Sequence, residues 1–136
     1  MKITITADLG TVLDRICAES AWRKALYPDE RLLTRDNSRM LSLLVGEGFG
    51  EWTRRMGAYV KAKNFNPNLD TGGILLTFSL RSLPEGFAES MQDALTAALA
   101  FYVLKTVYGE ETTYFGTAWR KFRTQAVLLL AKSETV

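Results

Sequence analysis

The sequence contains no histidine and a single cysteine, Cys17. Histidine is the usual general base, the partner of most nucleophilic serines and cysteines, and the commonest zinc ligand. Its absence therefore argues against most hydrolase chemistry and nearly all zinc sites. One cysteine forms no disulfide within the chain, and Cys17 falls on the inward face of a predicted helix, where a thiol is inert. We expect no catalytic residue, no metal site, no cofactor and a reducing environment.

Long apolar runs and an excess of one charge are also missing. The longest apolar run, Ala94 to Leu104, covers about half of the ~20 residues that cross a bilayer. Residues 1–10 contain no apolar stretch long enough for a signal peptide. The 17 basic and 15 acidic residues leave a net charge of +2, a smaller surplus than nucleic-acid-binding proteins usually carry. These features predict a cytoplasmic protein that binds neither membranes nor nucleic acid.

Helical periodicity dominates the chain of 136 residues, whose 47% hydrophobic and 24% charged content is ordinary for one folded domain. Apolar residues that recur every three or four positions predict four amphipathic helices. We expect the first to begin at the capping box Thr11–Asp14 and end near Tyr27, the second to cover residues 34–63, the third to run from the capping box Ser82–Glu85 to Gly109, and the fourth to begin near Thr112 or Thr113. The last two helices predict an αα-hairpin.

Two segments, Ile3–Thr6 and Ile74–Leu80, alternate apolar and polar residues, as a strand with one buried face does. We expect residues 2–6 to pair with the second segment. Residues 64–73 are rich in Asn, Asp and Gly and therefore predict a loop of turns. Their spacing also resembles the start of a calcium-binding loop, but required residues of such a loop are missing, so we expect no metal site there. The predicted fold is a single, mainly α domain with four helices and a minor two-stranded β element.

The glycine-rich segment Gly46–Gly50 has two interpretations. After the apolar residues 41–45 it resembles the strand and turn that hold a phosphate in nucleotide-binding folds, which would indicate an unfamiliar nucleotide-binding enzyme. A dinucleotide fingerprint, however, requires glycine where Glu51 stands. We favour a helix over residues 41–50, packed closely against the third helix through small residues. The small residues of this ridge are Gly46, Gly50, Thr53 and Gly57, and the expected partners are Ala94, Ala97 and Ala98.

Three clusters of charged residues are the candidate interaction sites. They are an acidic stripe of Glu85, Glu89 and Asp93, a basic stripe of Arg31, Arg35 and Arg39 if the second helix starts early, and a basic cluster of Arg120, Lys121 and Arg123. Such stripes are usually the solvated faces of helices. Their opposite signs and separate positions nevertheless predict self-association through unlike surfaces, which produces rings or filaments.

Residues 89–132 combine an alanine-rich helix, a tight turn and a helix that begins with aromatic residues. The features are the helix over Met91 to Tyr108, the turn at Gly109, Glu110 and Glu111, and a last helix that carries Tyr114, Trp119, Arg120 and Phe122. In this combination the segment resembles the small helical proteins of phage and prophage necks, the head-tail connector and head-completion group. The resemblance implies a non-enzymatic protein that assembles into rings between capsid and tail. It assigns no role to any single residue.

The leading functional hypothesis is therefore a structural assembly protein, a homo-oligomer that also binds neighbouring virion proteins. Two alternatives remain open. Salt-sensitive binding to DNA would favour a small regulatory or nucleic-acid-associated protein. Retention of a nucleotide would favour the enzyme built on Gly46–Gly50.

Overall fold

The computed structural model describes residues 1–109 and 113–134. Within this range four helices accompany a three-stranded antiparallel sheet, and 62% of the described residues are helical when the 3-10 turn is included. In chain order the elements are β1 (Lys2–Asp8), α1 (Leu9–Leu26), a 3-10 turn (Arg35–Asn37), α2 (Ser38–Arg55), β2 (Val60–Asn66), β3 (Gly73–Ser79), α3 (Phe87–Tyr108) and α4 (Thr113–Lys132). The predicted mainly helical fold is confirmed, with one strand more than the sequence indicated.

The sheet has the order β1-β3-β2, with β3 in the centre. In the β1 and β3 pair, Ile5 lies opposite Leu76 and Thr4 lies opposite Thr77, which confirms the predicted pairing of these segments. Ile5 and Leu76 are buried, whereas the hydroxyls of Thr4 and Thr77 are 3.0 Å apart in an exposed position. Because alternate side chains point to opposite faces, one face of the sheet is covered and the other is open.

The sequence-based prediction of a helix to residue 63 and a loop from residue 64 is wrong for β2. Tyr59 and Val60 continue the helical spacing of α2, but α2 ends at Arg55 and a turn over residues 56–59 leads into the strand. The Ser79 N–H donates to the Tyr59 carbonyl over 2.9 Å, and pairing with β3 continues to Asn66. Tertiary backbone pairing thus overrides a helical pattern that only a few residues support.

The loop after β2 covers residues 67–72, so the second half of the predicted loop over residues 64–73 is confirmed. The Asn66 side chain accepts a hydrogen bond from the Asn68 N–H over 3.1 Å, and the Asn68 side chain accepts one from the Asp70 N–H over 2.9 Å. These are turns in which a short polar side chain replaces a backbone acceptor.

α3 is the centre of the fold, and α1, α2, α4 and β1 all pack against it. Every side chain from Ala97 to Leu104 is buried, as expected for a helix enclosed on all sides. α4 lies antiparallel beside α3, with the Phe101 and Phe122 rings stacked at 5.7 Å and Tyr102 edge-on to Trp119 at 5.1 Å. The predicted C-terminal αα-hairpin is confirmed.

The helix ends were predicted less well than the helices. α1 is capped by Asp8, whose carboxylate accepts from the Thr11 N–H over 3.1 Å, so Thr11 is not the cap. Ser82 does not cap α3, since its hydroxyl donates to the Ser133 carbonyl at the end of α4. α3 begins after Gly86, which has φ +73°, and ends at Gly109 as predicted. α4 begins at Thr113, while Thr112 and the predicted turn at residues 110–111 lie outside the described residues.

Residues 41–50 are helical, as predicted, so the strand and turn of a phosphate-binding loop do not form there. The predicted ridge is wrong. The glycine of α2 that touches α3 is the buried Gly48, where an added Cβ would meet Cδ1 of Tyr102 at 2.6 Å. Gly46 faces the Phe65 ring of β2, Gly50 has no neighbour within 4 Å of such a Cβ, and Gly57 lies beyond the end of α2. The prediction is wrong because α2 packs against α3 through the face that contains Gly48, and Gly46 and Gly50 of the predicted ridge lie on other faces.

The segment between α1 and α2 is held by a chain of hydrogen bonds that runs from the buried Leu33 N–H to the surface. The Leu33 N–H donates to Ser20 Oγ over 2.7 Å, and Ser20 Oγ is 2.6 Å from the Tyr108 hydroxyl. Tyr108 in turn donates to the Arg31 carbonyl over 2.5 Å, so the Ser20 hydroxyl is the donor to Tyr108. Ser20 and Leu33 are fully buried.

Candidate interaction surfaces

The predicted acidic stripe is exposed, and its members do not all belong to one helix. Glu85 lies in the turn before α3, whereas Glu89 and Asp93 lie four residues apart on α3 itself. Within the described residues, none of the three side chains makes a hydrogen bond or an ion pair. Their charges are therefore solvated and available to a partner.

The predicted basic stripe of Arg31, Arg35 and Arg39 is wrong, because α2 begins only at Ser38. Arg31 lies in the irregular segment before the 3-10 turn, Arg35 in that turn, and Arg39 on α2. Arg35 is an internal contact that joins the turn to α1. Its guanidinium is 2.8 Å from the Asp14 carboxylate and donates to the Gly10 carbonyl over 3.2 Å.

Arg120, Lys121 and Arg123 all lie on α4 but on two sides of it. Lys121 borders a groove of about 370 Å³ between α4 and Arg15 of α1. Arg15 lies 5.3 Å from the centre of the Phe101 ring, and Lys121 lies 5.5 Å from that of Phe122. Arg120 and Arg123 face the opposite side, so the predicted cluster divides into two surfaces.

The second surface is a basic hollow of about 290 Å³, lined by Lys105, Gly116, Trp119, Arg120 and Arg123. Trp119 and its neighbour Tyr102 hold two of the cations. The Arg123 guanidinium lies 5.3 Å from the Trp119 ring centre, and the Lys105 ammonium lies 4.6 Å from that of Tyr102. Such cation–π contacts position a charge without neutralising it.

Like charges crowd this hollow. Burial lowers the pKa of Arg123 most, and the nearby cations Arg55 and Arg120 lower it further, while Glu51 acts in the opposite sense. The guanidinium stays protonated at neutral pH, so Arg123 is a partly desolvated cation with two further cations close to it. Beside the hollow, burial together with a 2.7 Å hydrogen bond to Glu47 raises the pKa of Tyr102 to about 12.

An exposed apolar surface lies where the end of α1 meets the start of α4. We call it the aromatic patch, and it consists of Trp22 (66% exposed), Leu26 (59%), Tyr27 (53%) and Tyr114 (61%). These side chains surround a hollow of about 200 Å³ that Glu19, Arg23 and Phe115 complete. Arg23 is fixed below them by a 2.7 Å ion pair with Glu30 and by the ring of Tyr27 at 4.8 Å.

A smaller apolar surface lies near the other end of α4. Val127 is 45% exposed and Leu128 is 56% exposed, and we call this pair the aliphatic patch. Leu128 borders a hollow of about 270 Å³ that also involves Ser90 of α3 and Lys132. At a rise of 1.5 Å per residue, Tyr114 and Leu128 are about 21 Å apart along α4.

Sequence reasoning missed the aromatic patch and Lys105 of the basic hollow, and it did not place Arg55 near Arg123. Trp22 and Leu26 are four residues apart and lie off the inward face of α1, which holds Leu9, Val12, Leu13 and Ile16. This apolar pair on an otherwise polar helix face was therefore a signal in the sequence that could have indicated the aromatic patch. Arg55 and Lys105 come from two other helices, and only the tertiary fold brings them to Arg123.

The remaining predicted feature, Cys17, is half-buried against the core, and burial raises the pKa of its thiol. A thiol with a raised pKa is a poor nucleophile, in keeping with the predicted structural role. Within residues 1–109 and 113–134, no three or more acidic, histidine or cysteine side chains are grouped to hold a metal ion. No helix in these ranges has both the length and the apolarity to cross a bilayer. Compared with known proteins, the chain matches no protein-family model, no curated protein and no solved structure.

Proposed function

We propose that this protein is a non-enzymatic assembly protein whose copies associate head to tail. The aromatic patch carries the proposal, since four large side chains, each more than half exposed, surround one hollow. Contiguous exposed apolar surface of this kind marks protein interaction sites. Trp and Tyr in particular supply most of the binding free energy of protein interfaces. The occupant we assign to the patch is a second copy of the chain.

The aliphatic patch is the surface to which the aromatic patch of the next copy binds. It lies about 21 Å along α4 from the aromatic patch, so the two apolar surfaces are separate and unlike. When unlike surfaces bind each other, every open oligomer keeps a free aromatic patch at one end and a free aliphatic patch at the other. Growth then continues until a ring closes, or without limit as a filament.

Charges next to the two patches support the same pairing. Arg15 and Lys121 line a groove together with Tyr114 of the aromatic patch. Glu89 lies next to Ser90, which borders the aliphatic patch. Glu19 and Lys132 are the exceptions, one at each end. Opposite charges around two apolar centres orient the approach of two copies and raise the rate of association.

Within this class of assembly proteins, a phage or prophage head-tail connector that also binds neighbouring virion proteins is the identity we propose. The support is the resemblance of residues 89–132 to neck proteins, together with the helical hairpin that those residues form. Capsid, portal or tail genes on either side of the coding gene would add to that support. A metabolic or regulatory operon around the gene would remove its basis.

The test of head-to-tail association is sedimentation velocity over a concentration and salt series. The aromatic variant carries Trp22→Gln and Tyr114→Gln, and the aliphatic variant carries Val127→Gln and Leu128→Gln. Each variant loses one of the two surfaces and should not assemble alone. A mixture of the two should form dimers and nothing larger. Each dimer joins the intact aromatic patch of the aliphatic variant to the intact aliphatic patch of the aromatic variant, and no intact surface is then left for a third copy. Loss of an interface aromatic typically weakens association about 30-fold.

The matched control carries Leu43→Gln and Leu75→Gln, which remove two exposed apolar side chains (71% and 44%) that lie outside both patches. The control should assemble like the native protein. A native protein that stays monomeric throughout the series refutes the proposal. Assembly by the aromatic variant alone, equal to that of the native protein, refutes it as well.

The acidic residues are tested separately, with Glu85, Glu89 and Asp93 all replaced by lysine. If they direct assembly, the variant should require a higher protein concentration to associate, and added salt should reduce the difference from the native protein. Exposed ion pairs contribute only about 0–1 kcal/mol each, so the effect should be smaller than that of the aromatic variant. An unchanged oligomer at low salt would show that these charges have no part in it.

A further inference from the structure

The basic hollow on α4 has more positive charge than the fold uses. Lys105, Arg120 and Arg123 line it, and they come from the two helices of the C-terminal hairpin. Within the described part of the chain none of the three forms an ion pair. Lys105 and Arg123 lie against aromatic rings, and Arg120 donates a long, 3.4 Å hydrogen bond to the Thr117 hydroxyl. The carboxylates of α2 are occupied elsewhere, since Glu47 accepts from Tyr102 and Glu51 pairs with Arg54.

The hollow also has the space that a bound anion needs. At about 290 Å³ it is roughly ten times the ~30 Å³ that a water molecule occupies in the liquid. It therefore admits a phosphate group together with ordered water. Gly116 adds to this space, since an added Cβ would have only the Arg120 guanidinium, at 3.7 Å, within 4 Å of it.

We propose that Lys105, Arg120 and Arg123 form a binding site for a phosphate group. Arginine presents paired N–H donors that match the oxygens of phosphate, and lysine adds a compact charge. Phosphate fits better than a single carboxylate, because one phosphate group offers three or more acceptor oxygens to three cationic side chains. The proposal is independent of assembly, since it concerns the pocket side of α4 and does not involve either apolar patch.

The source of the phosphate group is tested with three probes, at a protein concentration where sedimentation shows a single species. Calorimetric titration with pyrophosphate tests a free phosphate compound, and succinate serves as a carboxylate of comparable charge. Fluorescence anisotropy with a labelled short DNA duplex, measured over a salt series, tests a phosphodiester backbone. The indole N–H signal of Trp119 in NMR spectra reports whether the probe occupies the hollow.

The site variant carries Lys105→Gln, Arg120→Gln and Arg123→Gln, and the matched control carries Lys2→Gln, Lys61→Gln and Arg81→Gln, three exposed cations outside the hollow and both apolar patches. We expect pyrophosphate or DNA to bind the native protein and the control, with a shift of the Trp119 signal. Each cation lost from the site should weaken binding about tenfold. In the DNA titration, the slope of log affinity against log salt should fall by about 0.9 for each phosphate contact removed.

Binding of pyrophosphate assigns the site to a free phosphate compound, and binding of DNA alone assigns it to a nucleic-acid backbone; both support the proposal. Three results would overturn it. They are no binding of either phosphate probe, equal weakening in the site variant and the control, and succinate binding as tight as that of pyrophosphate. Circular dichroism of both variants must match the native spectrum, and Arg120→Gln alone serves as a second variant if the triple variant does not fold.

Discussion

Gly48 and Gly50 lie two residues apart on α2, the first buried and the second exposed, and they differ in what an added methyl group would meet. A Cβ added at Gly48 would lie 2.6 Å from Cδ1, 2.9 Å from Cγ and 3.2 Å from Cβ of Tyr102. At Gly50 it would have no neighbour within 4 Å. The pair of variants Gly48→Ala and Gly50→Ala therefore separates a packing clash from the intrinsic effect of alanine in a helix.

The expected magnitudes follow from two opposing effects. Alanine in place of glycine inside a helix stabilises the fold by about 0.5–1 kcal/mol, because glycine loses more backbone freedom on folding. Gly50→Ala should show this gain. At Gly48 overpacking costs about 1–3 kcal/mol, and Tyr102 cannot swing away easily. Its hydroxyl is bonded to Glu47 and its ring contacts Trp119 and Lys105. We expect Gly48→Ala to be less stable than Gly50→Ala by roughly the cost of the clash, 1–3 kcal/mol.

Urea denaturation followed by circular dichroism measures both variants. Equal denaturant slopes with different midpoints would show that stability changed and the denatured state did not. The reasoning is refuted if the two variants have the same midpoint, or if Gly48→Ala is the more stable. Gly46→Ala gives an intermediate case, because the added Cβ would meet only the outer atoms of the Phe65 ring, the nearest at 2.9 Å.

Three further predictions concern single side chains. Ser20→Ala removes the acceptor of the buried Leu33 N–H, so urea denaturation should show a loss of about 1–3 kcal/mol; a change below the error of the method would contradict the hydrogen-bond chain. Gly109→Ala should cost about 1–3 kcal/mol, because φ +91° and ψ 152° form a conformation that only glycine adopts readily; a variant as stable as the native protein would show that this turn adopts another conformation. The pKa of Tyr102, raised to about 12, means that the folded state favours the protonated phenol. The resulting stability is complete below pH 10 and is lost as the pH rises from 10 towards 12. Tyr102→Phe should lessen this loss in denaturation curves at several pH values, and an identical pH dependence in the two proteins would refute the assignment.

The helices were predictable from the sequence because burial of one face imposes a 3.6-residue period on each of them. Phe87, Met91, Leu95 and Tyr102, for example, recur at helical spacing and are all buried. β2 was not predictable in the same way. Lys61, Ala62, Lys63 and Asn64 are all exposed, so neither face of the strand carries an apolar alternation. What makes these residues a strand is the free edge of β3, and that edge exists only after the chain has folded.

The candidate surfaces show the same division. Glu89 and Asp93 were placed correctly on an exposed helix face, since local spacing decides that. Arg35 was misplaced because its partner, Asp14, is 21 residues away in the sequence. The basic hollow combines Arg120 and Arg123 with Lys105 from α3, and no local pattern indicates which residue of one helix lies beside which residue of the next.

The enclosure of α3 has a consequence for the order of folding. All of its side chains from Ala97 to Leu104 are buried, yet α4, which covers one side of it, leaves the ribosome later than α3. During synthesis the most apolar helix of the protein is thus exposed until its last neighbour emerges. Exposed apolar segments are bound by chaperones or aggregate, so a chain interrupted between α3 and α4 should be recovered as insoluble protein even though every earlier element is intact.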